Sequence, residues 1–250
     1  MTSSSAQSKT SPASAPAAMG FRISLRTIRV GLLLGAFILA AMCVRTATTY
    51  WHAHTLSTQV QAWFVGDQLP APGELARTEQ QLKQLEKTLA ADAGVKLSLA
   101  RLYIVRGQSE TASRYYDSAR AALVSARRLQ PSHYEALALR VFLDDVQNGL
   151  NSEAMVLLEQ LLRLSPYEKK VQQLIGPVLV KNWNALSGTL QQLAEPLISS
   201  ALREASTKAI LFDAMRQYNL VAPFKCCSPN RETSAQLRVL EATTPHDTFQ

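Results

Sequence analysis

Four places in the sequence bring together side chains able to do chemistry. His52 and His54 flank Ala53, and two imidazoles so placed could touch one metal ion. Neither has a Cys or carboxylate beside it, whereas a zinc site wants three or four such ligands. A solvated histidine pair is expected. Asp144 and Asp145 could divide acid and base work, but neighbours on a helix diverge by about 100°. The two carboxylates would then not converge on one substrate, and solvation at a helix end is the expectation. Arg127-Arg128 reads as a pair complementing a helix carboxyl end. Cys226-Cys227 leaves three alternatives open. They are a vicinal disulfide in a strained ring, one cysteine paired across a homodimer, or two small thiols under the last helix. Only Lys225 is placed to lower a thiol pKa, so redox catalysis is not expected.

The sequence holds no glycine-rich phosphate loop, nucleophile-elbow pentapeptide or zinc-protease helix motif. No catalytic, cofactor-binding or metal-binding residue is assigned. The expectation is a non-enzyme that needs no cofactor.

Charge placement says where the protein works. The chain has 250 residues, 47% apolar and 18% charged, with a formal net charge of +7. Ordinary soluble domains carry roughly 25% charged residues, so 18% points to a membrane segment. Residues 1–45 hold Lys9, Arg22, Arg26, Arg29 and Arg45 and no acidic side chain, leaving 21 basic against 19 acidic residues in the rest. The basicity therefore flanks one apolar run. No basic helix, aromatic stacking motif or zinc-finger spacing accompanies it, and no nucleic-acid partner is expected.

That run is VGLLLGAFILAAMCV, Val30 to Val44, fifteen residues without a charge. At about 1.5 Å per residue it spans roughly 22 Å, short of a hydrocarbon core of about 30 Å. Extending it to residues 30–51 completes a transmembrane helix through the lipid bilayer, with Arg45 snorkelling and Tyr50 and Trp51 as interface anchors. A cleaved signal peptide fits less well. The amino-terminal region is long, Arg45 sits at −3 to a cut after Ala47, and Met42 precedes Cys43 where a lipobox wants a small residue. An uncleaved signal anchor is expected. Arg22, Arg26 and Arg29 put the amino terminus in the cytoplasm, so the body would lie periplasmic in a bacterium.

The flanking regions follow from composition. Residues 1–29 read as a disordered basic cytoplasmic tail, residues 52–73 as a stem, residues 74–222 as a helical domain and residues 223–250 as an irregular tail. Leu75, Leu82, Leu85 and Leu89 form one amphipathic stripe, and Leu211, Met215 and Tyr218 another within Lys208 to Asn219. Ser132…Glu135 and Ser165…Glu168 have the form of capping boxes, with Pro166 at a first helical position. Asn148-Gly149 reads as a helix stop. Pro177 and Pro196 should kink or end their helices. No sustained two-residue alternation appears, so the fold class expected is all-α.

Two stretches share a spacing. Leu99, Ala100, Tyr103, Ala112, Tyr116 and Ala119 surround Gly107 at the offsets that Val141, Phe142, Asp145, Ala154, Leu158 and Leu161 keep around Gly149. In each, glycine falls between two helices and Ala follows at a close crossing. The spacing resembles the tetratricopeptide repeat, a 34-residue helix pair. Pro131 arrives seven residues late, which lengthens the second helix by two turns and keeps the stripe of Ala112, Tyr116, Ala119, Leu123 and Ala126. A looser third unit runs from Tyr167 to about Ala205.

The resemblance implies a short solenoid with a concave, peptide-holding face built from the first helix of each pair. Partner-binding residues are then expected around Arg101, Gln108 and Leu139. The layout is similar to single-pass proteins of bacterial exopolysaccharide assembly loci, to ancillary translocon proteins and to cytochrome c maturation subunits. The function expected is that of a membrane-anchored interaction scaffold. Its partners would be inner-membrane or other envelope proteins, with a homo-oligomer as a further option.

Overall fold

The computed structural model describes residues 25–66 and 70–243, and every regular element among them is a helix. Residues 1–24, with Arg22 and most of the expected disordered tail, and residues 244–250 lie outside the described residues. The chain divides after Thr48 into two units.

The first unit holds the opening of helix α1 (Leu25–Val65). Every residue from Arg29 to Thr48 is exposed, including Leu32, Phe37 and Leu39. Such an uninterrupted apolar surface is no core helix of a water-soluble body, which would turn one face inward. The helix is long and apolar enough to cross a membrane. Its polar side chains turn back on the helix itself: Thr46 and Thr48 donate from Oγ1 to the carbonyls of Met42 and Arg45, each at 2.9 Å.

In the second unit α1 continues without a break to Val65. Residues 52–65, expected as stem, are thus helical, and Leu56 and Val60 are buried. There follow α2 (Pro72–Thr88), α3 (Ala93–Glu110), α4 (Ser113–Leu129), α5 (Tyr134–Asn148), α6 (Ser152–Leu164), α7 (Lys169–Asn182), α8 (Gly188–Ala201), α9 (Ala205–Gln217) and α10 (Arg231–Thr243). Helices α3 and α4, α5 and α6, and α7 and α8 pack as antiparallel hairpins, while α3, α5, α7 and α9 form a second row of neighbours. Each hairpin buries the apolar face its neighbour cannot cover alone, the logic of a short solenoid. The period is visible in the charges. Arg101 pairs with Glu135, Glu135 with Lys170, and Lys169 with Glu204, at separations of 34, 35 and 35 residues.

Local chemistry explains where the helices begin and end. Asp92 caps α3 through Gly94 N–H, and Asn151 caps α6 through Ala154 N–H at 2.8 Å. Gly149 closes α5 at φ 72°, a conformation that glycine adopts without strain. The two expected capping boxes do not form. Helix α5 is entered from His133 and α7 from Glu168, and neither uses a side-chain cap. Ser165 closes α6 instead, donating its N–H to Leu161 at 2.9 Å, and Pro166 lies in a turn. Glu135 is drawn away by Arg101 and Lys170, a charge pairing stronger than a cap bond. Helices α7 and α8 run through Pro177 and Pro196, because Val178, Leu179, Leu197 and Ile198 around them are buried.

Packing shifts the expected repeat contacts by small amounts. The buried stripe of α4 is Tyr115, Ala119, Leu123 and Ala126, with Tyr115 in place of Tyr116. Ala112 is not at a crossing within α4 but is the partly buried residue before it. The close approach is made by Gly107, where a Cβ would stand 2.7 Å from Cδ1 of Tyr116. Ala154 is fully buried. The carboxyl end differs from the expected irregular tail. Phe224 lies edge-on to Trp183 with centroids 4.7 Å apart, and Thr233, Leu237 and Leu240 bury one face of α10.

Candidate functional groove

The row α3, α5, α7 and α9 forms one wall of a groove of about 280 Å³, and the end of the second unit's α1 segment forms the other. Its floor is apolar. Leu139 and Phe142 come from α5, Leu174 and Pro177 from α7, and Ile210 from α9. They face inward together because helix neighbours at three and four residues share a face. Phe64 of α1 reaches across to Phe142, edge-on with centroids 5.7 Å apart.

Charge lines one end of that floor. Glu135 sits between Arg101 and Lys170, accepting from both, with Lys170 Nζ at 3.3 Å. Arg101 is almost wholly buried. Burial lowers its pKa and Glu135 pulls the other way, so the guanidinium keeps its charge. Among the described residues Gln61 Oε1 is shielded from solvent and has no hydrogen-bond partner. An unpartnered buried acceptor costs about 1–3 kcal/mol.

At about 280 Å³ the groove lies close to the lower end of small-molecule pockets, roughly 300 Å³. Among the described residues no group of three or more His, Cys, Asp or Glu is placed to hold a metal.

No family model, no curated protein and no solved structure matches the chain.

The residues expected to face a partner divide. Arg101 and Leu139 line the groove together, both buried. Gln108 does not; it is exposed near the end of α3, outside the lining. Glu135, Phe142, Lys170, Leu174 and the α1 residues Gln61 and Phe64 complete the site without having been expected. The alternation of sign at one repeat length, Arg101 to Glu135 to Lys170, was the available signal for two of these, Glu135 and Lys170.

The other sequence features fall elsewhere. Asp144 and Asp145 are not solvated at a helix end but buried in ion pairs. Asp144 accepts from Arg120 and Arg140 at 2.8 Å each, and Asp145 from Lys181 at 3.0 Å and Asn182 at 2.9 Å. They tie α5 to α4 on one side and to α7 on the other. His52 and His54 are exposed. Arg127 and Arg128 lie in the last turn of α4, as expected. Cys226 and Cys227 are free thiols with Sγ atoms 3.6 Å apart; Cys226 is exposed and Cys227 buried. Burial pushes the Cys227 thiol up to about 12, opposite to what a nucleophile needs.

Proposed function

We propose that this protein is a membrane-anchored scaffold whose helical body holds a segment of another envelope protein in the groove. The observation that carries the reading is the groove itself: an apolar floor, with a charged row of Arg101, Glu135 and Lys170. Apolar anchors supply affinity in such a site, and buried charge sets which partner fits. The helix that crosses the bilayer over residues 30–51 has its amino terminus in the cytoplasm, which puts the groove on the far, periplasmic side. The basic residues before the apolar run support that orientation. The tetratricopeptide-like spacing, with the 34- and 35-residue charge pairs, supports a peptide-holding solenoid over an enzyme. Service in exopolysaccharide assembly, with translocon or cytochrome c maturation roles as alternatives, remains the pathway reading drawn from layout.

The experiment is co-purification of the full-length chain from membranes, wild type beside Lys170→Glu and Phe142→Ser. Lys170 is exposed and Phe142 only partly buried, so these changes spare the core that Arg101 and Leu139 help to build. A reproducible envelope partner retained by wild type and lost in both variants supports the scaffold. Recovery of no partner, together with a hydrolase or transferase activity in the purified chain, overturns it.

A further inference from the structure

Two edges of the second unit can be compared, each made of the turns at one end of the hairpins. One edge consists of the turns that follow α2, α4, α6 and α8. These lie together: Tyr50 lines a crevice with Thr88 to Gly94 and with Gln130, Glu168 adjoins Tyr134, and Lys169 pairs with Glu204. The other edge consists of the turns that follow α3, α5, α7 and α9.

Their chemistry differs. On the first edge the last turns of α2, α4 and α6 carry Lys87, Arg127 with Arg128, and Arg163, and Arg203 stands in the turn after α8. Among the described residues Lys87, Arg127, Arg128 and Arg203 have no ion-pair partner. On the opposite edge the last turns of α3 and α5 hold no base, and Lys181 and Arg216 of α7 and α9 are paired with Asp145 and Asp213. Complementing helix dipoles would place bases at both edges alike. It does not account for the asymmetry.

Exposed apolar side chains accompany the unpaired bases. Leu129 is 39% exposed, Leu164 49% and Tyr167 70%, and Trp51, next to Tyr50, is 76% exposed. Leucine and aromatic side chains interleaved with Lys and Arg are what a headgroup layer takes up. Aromatic rings sit at the interface, and Lys and Arg are drawn to anionic headgroups.

We propose that this edge is a second membrane contact, docking on the anionic glycerophospholipid headgroups of the bilayer that α1 enters. The inference rests on residues 30–51 spanning that bilayer, because Tyr50 and Trp51 then mark the headgroup level and Tyr50 is part of the edge. Tethering by α1 supplies a high local concentration, so weak headgroup contacts suffice to hold the body in one attitude. The groove on the helix row is thereby presented at a fixed height above the membrane.

The test uses the full-length chain in nanodiscs, with its cysteines replaced and single fluorescent labels placed at Leu164→Cys, Asn184→Cys or Leu34→Cys. Asn184 is exposed on the opposite edge. Nitroxide quenchers ride on lipid headgroups or on acyl chains. The expected result is headgroup quenching at 164 at least threefold that at 184, growing with phosphatidylglycerol content. It should fall to the level of 184 in Arg127→Glu/Arg128→Glu/Arg203→Glu. Equal quenching at 164 and 184, with acyl-chain quenching intact at 34, overturns the edge contact and leaves the span standing. Loss of acyl-chain quenching at 34 overturns the span and the edge contact with it.

Discussion

Asp144 and Asp145 show how far a pair of adjacent carboxylates can be misread from sequence. Helical divergence correctly keeps them from one substrate, and Arg140 lies one turn from Asp144, but Arg120 and Lys181 lie 24 and 36 residues away, where no local rule reaches. Because Asp144 is buried between two guanidiniums, Asp144→Ala leaves both without their shared anion. We expect a loss of about 3 kcal/mol, in the range for breaking a buried pair, read by chemical denaturation. A loss below about 1 kcal/mol would place the network at the level of surface pairs. The cysteines make a second prediction at this scale. In a reduced Cys43→Ser chain, maleimide should modify Cys226 readily and Cys227 only after unfolding, since Cys227 is buried and its thiol pushed up to about 12. Equal rates at the two sites would contradict the packing of the final turn.

At the scale of elements, most helices were legible and several of their ends were not. Leu75, Leu82 and Leu85 mark the buried face of α2, and Asn148-Gly149 ends α5, because those signals are local. The Ser132…Glu135 box failed because Glu135 had a better partner one repeat away in each direction, and the Ser165…Glu168 box because Ser165 closes α6. Pro70, Pro72 and Gly73 mark the stem, and the polar stretch after Pro223 reads as irregular. Leu56, Val60, Leu237 and Leu240 are buried only by surfaces that exist after the hairpins have stacked. Gly107 was legible as a spacing mark, though its close neighbour is Tyr116 rather than a crossing at Ala112. Gly107→Leu should therefore overpack the α3–α4 contact and cost about 1–3 kcal/mol. Gly73→Ala, where a Cβ meets open space, should be neutral or mildly stabilising. The comparison of thermal midpoints in detergent checks both, and an unchanged midpoint in Gly107→Leu would mean the hairpin register is wrong.

For the whole molecule, an apolar exposed helix precedes a body of stacked hairpins whose ion pairs recur every 34 or 35 residues. Two residues of the groove were legible, Arg101 and Leu139, because they belong to the repeated helices. The other wall was not, since it comes from Gln61 and Phe64 of α1, outside any repeat. The central claim is that this groove holds a partner at the membrane, and site-specific photo-cross-linking tests it most directly. A benzophenone side chain is placed at Leu174 of the full-length protein, and another at Gln108, exposed but outside the groove. The account predicts a discrete adduct from Leu174 in intact membranes, lost when Lys170→Glu is added and not formed from Gln108. The same adduct from both positions, or one from Gln108 alone, would contradict it.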